Sequence, residues 1–118
     1  MNIKFIKMEI YIKYYISKIM SKPVSVVIKK STKPEKKLMA VFTLENGKTR
    51  TTHFGANGMS DYTKHKDDER KTRYLNRHRK NENWSAPMTA GSLSRWILWN
   101  KPTRAASISD YKRRFKLN

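Results

Sequence analysis

The chain of 118 residues contains no cysteine. Disulfides, thiolate zinc sites and cysteine nucleophiles are excluded, and the composition fits a reducing compartment. Carboxylates are scarce too: 9 Asp and Glu stand against 27 Lys and Arg, a formal net charge of +18. No uninterrupted apolar run is present. Lys4, Lys7, Glu9, Lys13 and Lys18 break up the one stretch rich in Ile and Tyr, leaving it unable to span a bilayer and a poor signal-peptide core. The expectation is a protein that is neither membrane-spanning nor secreted. Signatures of catalysis are missing as well: there is no HExxH, no Gly-rich phosphate loop and no GxSxG.

What is present is positive charge on a small body. Apolar residues make up 37% of the chain, enough for a modest core but not for one that encloses a large substrate pocket. A compact domain with this charge repels itself, and solubility needs only a few net charges. Neutralisation by a polyanion relieves the repulsion, and release of condensed counterions drives the association. Plain solubility and a codon bias toward Lys are the competing explanations.

The composition divides the chain into an N-terminal arm or extension, residues 1–20, and a basic domain, residues 21–118. In the arm, Met8, Ile10, Ile12, Tyr14 and Ile16 alternate as in a strand, while Phe5, Met8, Ile12, Tyr15, Ile16 and Ile19 also fit a helical stripe. A third reading makes Met20 the natural start. From Pro23 the pattern is β: Val24, Val26 and Ile28 alternate, and a Lys- and Pro-containing loop leads to an apolar run over Leu38–Leu44. Asn46-Gly47 predicts a type I′ hairpin joining Lys37–Leu44 to Lys48–Phe54. The Gly55-Ala56-Asn57-Gly58 cluster marks the change to helices. Asp67 and Asp68 open a helix running to about Lys80, Thr89 caps a second from Ala90 to about Trp99, and a third covers about Thr103 to Phe115. The fold class is α+β: a three-stranded antiparallel meander followed by three short helices, with a variable N-terminal arm.

Within the first of those helices Lys66, Arg70, Arg73, Arg77 and Lys80 recur at spacings of four and three, which stacks them on one face. Such a ladder can follow phosphates along a backbone. The plainer alternative is a solvated face, but the acids are confined to the first turn. The adjacent stripe, Lys71, Tyr74, Leu75 and His78, is expected to pack on the sheet. Lys112, Arg113 and Arg114 add a basic C-terminal helix whose apolar side (Ile108, Tyr111, Phe115) suits docking on the core. Trp84, Trp96 and Trp99 fit core packing, base stacking or a protein contact, with Trp99 placed beside Trp96 by helical spacing. His65, Asp67, Asp68 and Glu69 resemble a hydrolytic metal cluster only in composition, since helix-start chemistry accounts for the acids. The reading is non-enzymatic, with no metal or other cofactor.

The runs HFGANGMSDYTKHKDDERKTRYLNRHRKNENW (His53 to Trp84), MTAGSLSRWILWNKPT (Met88 to Thr103) and SISDYKRRF (Ser107 to Phe115) resemble a family of small basic proteins of nucleocytoplasmic large DNA viruses (giant viruses). The family carries no established activity. The resemblance implies a viral context, with localisation to the virion or to the viral factory of the infected cell. Two functions are then expected. One is a virion-associated structural protein, a minor capsid or core component that binds an anionic polymer or surface and contacts other virion proteins. The other is a sequence-independent DNA- or RNA-binding protein of packaging, replication or transcription.

Overall fold

A computed structural model describes the backbone of residues 3–118, and side chains from residue 6 onward except 19 and 20. Phe5 and Ile19 of the proposed apolar stripe therefore lie outside the described side chains. The elements follow in the order α1 (Ile3–Met20), β1 (Pro23–Lys30), β2 (Lys36–Leu44), β3 (Thr49–Ala56), α2 (Tyr62–His65), α3 (Asp68–His78), α4 (Ala90–Leu93) and α5 (Arg104–Phe115). The class is α+β, an antiparallel meander in the order β1-β2-β3 with short helices after it.

The arm is a helix, not a strand. Contacts one turn apart support it: Tyr11 stacks on Tyr15 at 6.5 Å, and Lys13 lies 3.9 Å from Glu9. Such i,i+4 pairs stabilise a helix only weakly. Residues 7–18 are all exposed.

The sheet follows its alternation. Val26, Leu38, Ala40, Phe42 and Phe54 point to one face and are buried, whereas Val27 on the other face is 58% exposed. Leu93, Ile97, Leu98 and Tyr111 from the helices close the same core. The hairpin between β2 and β3 differs in type from the one predicted. Gly47 alone has positive φ (+82°), its N–H donates to the Leu44 carbonyl, and Leu44 N–H donates to Lys48 O. This is a three-residue loop with the glycine as the bulge residue. Asn46 keeps negative φ and instead accepts the Lys48 N–H on Oδ1 at 2.9 Å. At the other edge the C-terminus covers β1, with Val26 N–H donating to Asn118 O and Asn118 N–H to Val24 O.

Thr89 caps α4 through Ser92 N–H, and Thr103 caps α5 through Ala106 N–H. Between them the helix does not continue as a regular α turn to Trp99. Residues Ser94–Leu98 form a π turn, closed by Trp99 N–H donating to Ser94 O at 3.0 Å. The extra residue per turn changes the helical phase. Trp99 leaves the helix at φ −123°, ψ 36°, instead of lying beside Trp96.

Candidate polyanion interface

The site is built outward from Asp61. Its carboxylate accepts Thr63 N–H at the start of α2 and Lys37 Nζ from β2 at 2.6 Å. Burial opposes its ionisation, but the bonds from Lys37 and Thr63 outweigh that and hold the carboxyl below its ordinary 3.8. Lys66, in the left-handed region at φ +54°, closes α2 and turns the chain into α3. Asp67 caps α3 by accepting Glu69 and Arg70 N–H. Those bonds, that of Arg70 first, keep its carboxyl ionised below the usual range. Tyr62 O–H donates to Asp68 Oδ1 at 2.6 Å, which ties α2 to α3. Two of the acids once grouped with His65 are thereby spent on structure, and among the described residues no cluster of three such side chains converges.

The inner stripe of α3 packs on the residues the π turn extrudes. Tyr74 stacks on Trp99 at 4.2 Å and 4°, and His78 stacks on Tyr74 at 4.2 Å. Lys71 Nζ donates to Asn100 O at 2.6 Å, and desolvation, then the nearby Arg95, lowers its pKa. Tyr74 is pushed above its ordinary 10.0, by burial first and Glu82 second. Trp99 thus acts as a spacer between α3 and the helices on the core.

A cleft lies beside that spacer. Its larger chamber, about 460 Å³, lies between the ends of β2 and β3, the inner face of α3 and α4, with Phe54, Leu98, Tyr74 and Trp99 among its apolar lining. A second recess of about 210 Å³ is bordered by Arg70, Arg73 and Arg77 on one side and by Met59, Ser60 and Trp99 on the other. Met59, Ser60, Arg77 and Trp99 border both. The structure therefore brings together three of the predicted ladder residues and one predicted tryptophan. Lys66 and Lys80 are exposed at the two ends of α3 and border neither chamber. Glu69 approaches Arg73 only to 3.9 Å, between exposed side chains.

The C-terminal cations are differently placed. Asp110 lies 2.7 Å from Arg113 and 3.6 Å from Arg114 and accepts Asn100 Nδ2 at 2.7 Å. The Asn100 bond first, then Arg113 and Arg114 against the opposing effect of burial, hold that carboxyl below 3.8. Two of the three tail cations predicted to bind a polyanion, Arg113 and Arg114, thus share the Asp110 carboxylate, while Lys112 is half-buried. Arg114 also covers Trp96 at 3.7 Å, and Arg95 lies 4.2 Å from the same ring and 5.4 Å from Trp84. Trp96 Nε1 donates to Trp84 O, and Trp84 Nε1 to Glu82. Trp96 packs against the core, and with Trp84 it forms a cation-braced pair apart from the stack that holds Trp99.

Lys36, Met59 and Ser60 went unmarked in the sequence. The only signal was Met59 itself, a large apolar residue directly after the glycine of a breaker cluster, and it is 66% exposed.

No curated protein and no solved structure matches the chain. Residues 26–78, which run from β1 through α3 and include the three arginines, are similar to a family of unknown function (DUF5754).

Proposed function

We propose that this domain is a non-enzymatic binding module for nucleic acid, attaching to the phosphate backbone through α3. The supporting observation is the set of exposed cations Arg70, Arg73 and Arg77 on one helix face; Glu69 comes within 3.9 Å of Arg73, and Asp67 at the start of the helix also faces Arg73. Guanidinium groups one turn apart match phosphate oxygens with charge-assisted hydrogen bonds. With a net charge of +18, each contact made at this face also releases counterions from the polymer. No base-reading motif is present, so the attachment is independent of sequence. The test is affinity for duplex and single-stranded DNA between low and physiological salt. A steep fall of log affinity with log salt is expected, and a flat response removes the proposal.

A second reading has its own observation. The exposed side chains of α1 include Met8, Ile10, Tyr11, Ile12, Tyr14, Tyr15 and Ile16, an apolar surface that assembly with neighbours would cover. In that setting the protein is a structural component, the minor capsid or core protein of a virion, with its cations facing the genome or another anionic surface. Stoichiometric presence in purified particles supports this reading, and low copy number outside them removes it.

A further inference from the structure

We infer that the two-chambered cleft is a binding site for one unpaired nucleotide, with phosphate in the arginine recess and base in the apolar chamber. The inference rests on the nucleic-acid reading and deepens it. Duplex backbone binding needs only an exposed cationic face. It does not need an apolar space behind that face.

The two chambers have different chemistries and meet at shared walls. Arg70, Arg73 and Arg77 give the smaller one three guanidinium groups and no carboxylate in its lining, with the Ser60 hydroxyl opposite. That combination selects a phosphate. The larger chamber is of a size that accepts a base and its sugar, and its lining combines apolar Phe54, Leu98 and Trp99 with polar groups on Lys36, Asp61, His78 and Glu82 that can bond the edge of a base. Trp99 borders both, held flat by Tyr74 on one side. The indole is fixed by Tyr74 and by His65, whose ring centroid lies 5.3 Å away at 55°, and its exposed part at the junction is aromatic surface that a base can meet. The local backbone is unusual at this point: the π turn that places Trp99 is of a kind found often at functional sites. The ligand class is thus a nucleoside carrying a phosphate, either free or as part of a single strand.

Indole N–H resonances distinguish Trp99 from Trp84 and Trp96, whose N–H groups are already bonded to Glu82 and to Trp84 O. The experiment titrates the full chain with nucleoside 5′-monophosphates, the corresponding nucleosides, inorganic phosphate, a short single strand and a duplex. Two variants accompany it. Met59→Asp puts an anion at the junction, and Ala56→Phe fills the apolar chamber; both positions are exposed, so folding is retained and circular dichroism checks it. The expected result is a shift confined to Trp99 with monophosphates and single strands, and affinity at least about tenfold weaker in both variants. Duplex binding stays within about threefold in Ala56→Phe. Free monophosphate binding as tightly as the single strand identifies a free nucleotide as ligand; a stronger single strand identifies a polymer. Salt-sensitive duplex binding without a Trp99 response overturns the inference and leaves the nucleic-acid reading standing. Inorganic phosphate matching the monophosphates also overturns it. Failure of every polymer removes the nucleic-acid reading, and failure of the monophosphates as well removes both.

Discussion

Lys37 Nζ lies 2.6 Å from Asp61 Oδ2, with side chains 7% and 1% exposed. The pair fastens the start of α2 to the middle strand, and through the Tyr62–Asp68 bond it sets where α3 begins. Removing one member of a buried pair leaves the other uncompensated. Asp61→Ala is expected to lose about 3–5 kcal/mol, measured by urea unfolding.

The same pair sets an acid limit. The folded carboxyl of Asp61 is depressed below its ordinary 3.8. Its contribution is therefore complete above about pH 3.8 and is lost as pH falls through the lower folded value. Asp61→Asn should be markedly less stable than the parent at neutral pH, and the gap should shrink as acid is added below about pH 4. A gap independent of pH means that the charge contributes nothing.

Replacing Arg70, Arg73 and Arg77 by Ala should lower the slope of log affinity for duplex DNA against log salt by about 2–3. Stability should change by no more than about 0.5 kcal/mol per site, because each side chain is exposed. Unfolding of the triple variant would mean that this face is structural.

Local chemistry made most of the fold legible. Alternation at Val26, Leu38, Ala40, Phe42 and Phe54 marked the buried face of the sheet, and Asp67 and Thr89 marked helix starts, where their side-chain oxygens accept backbone N–H groups; the cap that Thr103 gives the last helix is seen only in the structure. The arm was ambiguous because its apolar residues satisfy both periods, and Asn46-Gly47 gave the hairpin but not the turn type, since Gly47 alone takes positive φ. The cleft was not legible. It depends on a π turn, which no residue pattern announced, and on that turn moving Trp99 away from Trp96 and under Tyr74. Spacing correctly put Arg70, Arg73 and Arg77 on one face, while the Asp110 bonds to Arg113 and Arg114 went unforeseen although spaced at three and four residues.

Two glycines separate backbone strain from crowding. Gly47 at φ +82° has nothing within 4 Å of an added Cβ, whereas at Gly55, φ +78°, a Cβ would lie 2.7 Å from Leu98 Cδ1. Gly47→Ala should cost about 1–2 kcal/mol from the left-handed conformation alone. Gly55→Ala should cost a further 1–3 kcal/mol or so, since Leu98 belongs to the core and must shift. Equal losses at the two positions would show that Leu98 yields freely.

Trp99→Leu tests the spacer. The substitution removes the stack on Tyr74, worth about 0.5–1.5 kcal/mol beyond buried area, while keeping an apolar side chain against the core. Tyr74 and Lys71 attach α3 to Trp99 and Asn100, so losing the Trp99 ring weakens that attachment without touching the strand ladder. Hydrogen exchange should therefore accelerate at the α3 amides of residues 72–78 and remain slow at Ala40, Phe42 and Phe54 in the strands. Equal acceleration in both places would mean that α3 and the sheet open as one unit. In that case the cleft between them is no independent feature of the fold, and the nucleotide site loses its architectural basis.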